Sequence, residues 1–204
     1  NVSIAYFEEG VSMHSGSART GYHHGDLRST LLLSALEMLE AGESFSLRAV
    51  ARRAGVSTAA PYRHFADREA LESALAVHGL RELLNELTAG GEPPASAAEV
   101  GELAVGYVRF ALSRPALFRL MFGRPCDVQN DERVRAAAAL HDYLEAVMEG
   151  LFPQSDPVAL ATAGWSLAHG LAFLHLDGKL DNTDAAAVDE RVRSSFAAVF
   201  PLVA

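Results

Sequence analysis

Between residues 46 and 68 five arginines, Arg48, Arg52, Arg53, Arg63 and Arg68, stand against a single anion, Asp67. A local charge of +4 in so short a stretch suits contact with a phosphate backbone. Interleaved with the arginines are Ser46, Ser57, Thr58, Ala59, Tyr62 and His64. The rest of the chain has the opposite character: the whole carries −9, with ten Lys/Arg against eighteen Asp/Glu from residue 71 onward. Overall charge therefore argues against non-specific binding of nucleic acid, and one segment alone is built to face it.

That segment needs two helices crossing steeply through a short turn. Ser46 is placed to cap a helix through Ala54, with Leu47, Val50, Ala51 and Ala54 facing inward and Arg48, Arg52 and Arg53 outward. Ala51 is small enough for the crossing, and Gly55 four residues later can take the positive φ of the turn. Thr58 to Phe65 reads as the second, recognition helix, capped by Ser57 or Thr58, with its positive end toward phosphate. Pro61 is expected to be tolerated as a first-turn residue, and Val56, Tyr62 and Phe65 to plug the seam. Ahead of this pair, Asp26 is expected to cap a helix whose stripe of Leu27, Leu31, Ala35 and Met38 ends at Gly42. Asp67 opens another over 67–80, with Leu71, Leu75 and His78 at helical spacing.

The densest breaker cluster, Gly90-Gly91-Glu92-Pro93-Pro94, marks a working boundary between two helical regions of different charge character. Beyond it the periodicity predicts helices over 96–113, 115–122, 131–151, 156–177 and 184–200. No strand-like alternation occurs, so the fold class is all-α: an N-terminal three-helix helix-turn-helix domain followed by a C-terminal helical bundle. The functional division is 1–23 as a flexible arm or cloning remnant, with Met13 a candidate start, 24–70 as the DNA-binding unit and 71–204 as a ligand-binding and dimerisation domain. Arg19 to His24 supply charge and aromatic groups for an adjacent minor groove. In 204 residues that are 50% hydrophobic there is ample material for a core. Mean hydropathy is +0.10, but no 18-residue window lacks a charge or a helix breaker, and no membrane span is expected. The single Cys126 permits no intrachain disulfide, and the cytoplasm is the expected compartment.

Residues Ser46 to Ser57, then Ala60-Pro61-Tyr62-Arg63-His64-Phe65 and Asp67-Arg68-Glu69-Ala70-Leu71, resemble the N-terminal domain of the TetR family of transcriptional repressors. The resemblance spans about 24–75, departing at Pro61, where an apolar residue such as Leu is usual, and at Arg68, where Lys is usual. It implies that Ser46 and Ser57 bond phosphates, that Tyr62 and His64 hold the backbone and that Arg68 pairs with phosphate. Thr58, Ala59 and Arg63 would read bases, Ala59 by a methyl contact and Arg63 at guanine.

In the C-terminal half, residues 159–174 are apolar nearly all round and rich in small side chains, which predicts a buried helix closely approached by neighbours. Trp165-Ser166-Leu167-Ala168-His169-Gly170 resembles the Trp-x-x-x-His-Gly element of one TetR C-terminal subclass. In that subclass the last two long helices form a four-helix dimer bundle, so a homodimer on a palindromic double-stranded operator is expected. Tyr107, Phe110, Phe118, Met121, Phe122, Tyr143, Val147, Trp165, His169 and Phe173 supply apolar walls and a few polar handles for a small apolar or aromatic effector. The resemblance implies that such a molecule releases the operator by changing the spacing of the DNA-binding units, with helix 67–80 carrying the motion. No cofactor or metal is called for. Catalysis is excluded by the lack of a Gly-rich phosphate loop, a nucleophile elbow or metal-spaced His/Cys, leaving only the weak pair His175 and Asp177. Two alternatives remain, a redox sensor working through Cys126 and an effectorless regulator governed by a protein partner.

Overall fold

The computed structural model describes residues 24–123 and 131–200, and the predicted arm and Cys126 lie outside them. Every regular element within those residues is helical: α1 (His24–Glu40), α2 (Leu47–Arg53), a single 3-10 turn (Pro61–Arg63), α3 (Arg68–Thr88), α4 (Ala97–Ser113), α5 (Pro115–Phe122), α6 (Asp131–Leu151), α7 (Pro157–Leu176) and α8 (Ala185–Val199). The all-α expectation holds.

Side chains that satisfy orphan N–H groups fix most helix starts. Ser46 Oγ accepts from Ala49 N–H at 3.2 Å and Asp67 Oδ1 from Ala70 N–H at 2.8 Å. Ser96 Oγ accepts from Glu99 N–H at 3.3 Å, while Glu99 reaches back to Ala95 N–H at 2.8 Å, a capping-box arrangement. Asp156 and Asp184 cap α7 and α8 in the same way. The predicted α4 to α8 therefore agree with the structure to within a residue or two. α1 begins earlier than expected, at His24, so Asp26 lies in its first turn. α3 runs eight residues past the predicted end, because nothing between Leu80 and Thr88 breaks a helix.

The core is continuous through both regions. Leu31, Ala35, Val50, Phe65, Leu71 and Leu75 close the N-terminal unit, and Val108, Phe110, Leu117, Phe118 and Met148 are buried farther along. α4 is sandwiched between α7 and α8, and α3 packs on α5 and α6 as well as on α1. α3 is thus shared between the two regions. At the packing face of α3, Gly79 lets Met121 and Leu117 of α5 come so close that a Cβ would lie 2.6 Å from Met121 Sδ.

The expectation that α7 is buried all round is corrected. Ala161, Gly164, Ala168, Leu171, Ala172 and His175 face inward, but Val158 and Leu174 are exposed, and only 28% of its apolar window is buried. By length and composition α7 could cross a membrane, a property the count of breakers in the sequence missed because Gly164 and Gly170 do not interrupt it. In the fold it packs on α4 and α6.

Candidate functional site

The turn after α2 forms as the sequence requires. Gly55 takes φ +69°, Val56 N–H bonds Ala51 C=O at 3.0 Å and Gly55 N–H bonds Arg52 C=O at 3.2 Å, so the positive φ closes a Schellman-type stop. Ala51 is fully buried at the crossing.

The recognition segment departs from expectation. A helix starting at Thr58 would have its first i to i−4 bond donated to the Ser57 carbonyl by residue 61, and Pro61 has no N–H. Ala60 N–H takes that carbonyl instead, at 3.0 Å in a tighter turn, and only Pro61–Arg63 is helical, as 3-10. No side chain caps it. The expected cap by Ser57 or Thr58 and the outward helix dipole are therefore absent, and Pro61 instead opens the short 3-10 turn as its first residue. Pro61 and Phe65 are buried beneath the turn, and Arg28 of α1 lies over the Phe65 ring at 5.4 Å. Tyr62, expected in the seam, is 51% exposed, because Pro61 takes the inward position.

This geometry leaves Ser57, Thr58, Ala59, Tyr62 and Arg63 exposed in succession, with His64 half-buried at the end of the turn. Ser46 Oγ accepts from the cap N–H and keeps its hydroxyl proton for donation. The cations divide. Arg53 is tied to Glu37 of α1 at 3.1 Å and to Glu43 at 3.4 Å, and Arg68 donates to the buried Glu72 at 2.7 Å while lying over Phe45 at 5.2 Å. Arg48, Arg52 and Arg63 are exposed and form no ion pair among the described residues. The outward charge is therefore narrower than the sequence count of +4, since acidic residues outside the segment take two of its cations.

In the second region six of the ten expected pocket residues form one cluster, five of them around His169. Its ring lies 4.7 Å from Phe122, 4.8 Å from Phe173, 5.6 Å from Phe118 and 5.9 Å from Trp165. Tyr107 Oη is 2.8 Å from His169 Nδ1, and Trp165 Nε1 donates to Tyr107 Oη at 3.2 Å. Burial pushes the Tyr107 phenol up and the His169 imidazole down, so both are neutral near pH 7. Of the remaining four, Met121 faces Gly79, Tyr143 borders an open groove with Leu87 and Gly106, and Phe110 and Val147 lie in the core. The cavity bounded by Tyr107, Trp165, Leu103 and Met148 is about 30 Å³. That is room for one water, against the ~300 Å³ or more of a ligand pocket.

One constellation was not foreseen. Arg114, between α4 and α5, donates from Nε to Glu40 of α1 at 3.3 Å and from Nη1 to Glu82 of α3 at 2.5 Å. Glu40 also accepts from Leu117 N–H at 3.4 Å, and His78 Nε2 stands 3.5 Å from Glu82. The sequence marked Arg114-Pro115 only as a break. Nothing local in it announces partners 32 and 74 residues away.

Residues 34–75 match the family model described as bacterial regulatory proteins, tetR family, and residues 100–199 match the tetracyclin repressor-like C-terminal domain. A solved protein of unknown function from Rhodococcus sp. RHA1 is 34% identical, with 87% of this chain and 97% of that one covered and a TM-score of 0.73. The chain belongs to the TetR family of transcriptional regulators. TetR-family structures from Pectobacterium atrosepticum (TM-score 0.68, 18% identity, 88% and 94% covered) and Thermobifida fusca YX-ER1 (0.65, 18%, 86% and 98%) share the fold. No curated protein matches the sequence significantly. TetR regulators are non-enzymatic DNA-binding proteins, which agrees with the expectation that this chain is not an enzyme.

Proposed function

We propose that this TetR regulator is a repressor that binds a palindromic operator as a homodimer and releases it when a small apolar or aromatic molecule enters the C-terminal region. The observation that carries the reading is the run of exposed Ser57, Thr58, Ala59, Tyr62 and Arg63 on a turn held from beneath by Pro61 and Phe65. Thr58, Ala59 and Arg63 read bases, Arg63 at guanine. Ser46, Ser57, Tyr62, His64 and Arg68 set register on phosphates, Arg68 with its charge partly balanced by Glu72. The working place of a protein that acts on operator DNA is the cytoplasm.

The homodimer rests on α7. Its outer face carries Val158, Ala159, Ser166, Gly170 and Leu174, small or apolar and uncovered in one chain, and a second copy of α7 and α8 would cover it. The element Trp165-x-x-x-His169-Gly170 supports a place for the chain in the corresponding C-terminal subclass. Effector response is assigned to α5, which holds Phe118 and Phe122 beside His169 and begins next to Arg114. A ligand that displaces those rings moves α5, and Arg114 passes the shift to Glu40 of α1 and Glu82 of α3.

The test is selection of operators from random duplexes, followed by anisotropy titration of the winner with a library of small apolar compounds. An inverted repeat and compounds that weaken binding support the reading. The 30 Å³ cavity favours a second reading, a dimeric regulator governed by a protein partner, and an operator bound equally in every compound would establish it.

A further inference from the structure

The Trp165, Tyr107 and His169 side chains form a chain of hydrogen bonds whose direction chemistry decides. Indole N–H only donates, so Tyr107 Oη accepts from Trp165 and keeps its own proton to give away. The acceptor at hydrogen-bond distance is His169 Nδ1. A ring that accepts at Nδ1 while neutral carries its proton at Nε2. Nε2 has no hydrogen-bond partner among the described residues, and it is not among the fully buried polar atoms. With that tautomer one ring N–H stands without a partner among the described residues, beside Phe118, Phe122, Phe173 and Trp165.

We infer that His169 Nε2–H is the polar anchor of the effector site, and that it takes a neutral carbonyl oxygen borne on a compact apolar or aromatic body. The inference rests on the effector reading above and names the class of molecule. A buried carboxylate needs a cation to offset its lost hydration, and the donor here is a neutral imidazole. Among the described residues the cations nearby are engaged: Arg119, over Phe173 at 5.6 Å, bonds Asp177 and the Leu176 carbonyl, and Arg133 donates to the Met121 carbonyl at 3.0 Å. A pure hydrocarbon would cover the N–H and leave it unpaired, which a ketone, ester or lactone would not.

The experiment uses three near-isosteric probes, acetophenone, cumene and benzoate, titrated calorimetrically into the full chain, with operator affinity measured in parallel. Acetophenone should bind about tenfold more tightly than cumene, the scale of one buried donor left unsatisfied, and more tightly than benzoate. H169F should reduce the acetophenone preference to within about twofold. H169Q, whose amide restores an N–H near the Nε2 position, should recover most of it, which separates a lost donor from a damaged fold. Cumene equal to acetophenone in the wild type, benzoate tighter than acetophenone, or an unchanged preference in H169F would each overturn the inference. If cumene binds as well as acetophenone and both weaken operator binding, the effector reading survives and the anchor does not. If acetophenone binds through His169 with no effect on the operator, the anchor survives and the effector reading does not. No binding by any probe overturns the anchor.

Discussion

Residues 46–65 and α7 are stretches of equal length that bring functional groups to the surface in opposite ways. The first is irregular and polar, and a few buried residues, Leu47, Val50, Ala51, Pro61 and Phe65, leave most of its polar side chains outward. The second is a regular helix of 20 residues, apolar on all sides, and its uncovered face differs little in chemistry from its covered one. In the first, polarity says for most side chains which leave the core, Tyr62 excepted. In the second, only packing says it.

The largest expected effect is on the α7 side. Gly170 is exposed and no atom lies within 4 Å of a Cβ built on it, so Gly170→Glu is accommodated within one chain. Across a two-fold interface it sets like charges against each other, costing several kcal/mol. Light scattering should show monomer, and operator affinity should fall about 100-fold or more. A dimer of wild-type stability would place the interface elsewhere.

Next comes Arg63→Ala, expected to weaken the selected operator about tenfold while barely changing random duplex, whereas Arg68→Ala should weaken both alike and modestly. Equal losses on both duplexes for Arg63→Ala would remove it from base reading. Wild-type binding should also weaken steeply with salt, through the few exposed arginines of this segment.

Legibility follows the same division. The starts of α3, α4, α7 and α8 fall where periodicity puts them, and Asp67, Ser96, Asp156 and Asp184 cap them through near neighbours alone. The recognition segment was misread by one hydrogen bond, because the effect of Pro61 depends on where the helix would begin. For the pocket, helical spacing named the apolar residues but not their directions. Tyr107 joins His169 and Trp165, Phe110 three residues on is core, and Met121 turns to Gly79. Arg114 and its partners were invisible, since their separation in sequence carries no period.

A smaller effect tests whether the two regions are joined through that arginine. Arg114→Met leaves Glu40 and Glu82 without their shared cation, and thermal unfolding should fall by a few degrees, about the effect of 1 kcal/mol in a domain of this size. Amide exchange should rise most in the last turn of α1. Unchanged exchange there would separate α1 from α5.

The smallest expected effect concerns His175, fully buried on α7. Its pKa is lowered, first by burial and then by Arg191. The unfolded chain therefore binds the proton more readily than the fold, and the stability tied to a neutral ring is present above the usual histidine range and lost as pH falls through about 6.5. His175→Leu should flatten the melting temperature between about pH 7 and pH 5 relative to wild type. An unchanged slope would mean that the ring takes up its proton without cost.

The account depends most on two chains presenting two recognition turns to one duplex. Native mass spectrometry of the complex with an operator selected from random sequence measures this directly. Two chains on an inverted repeat, with half-site centres about 10 base pairs or a multiple apart, is the expected result. A single chain on an asymmetric site would contradict it.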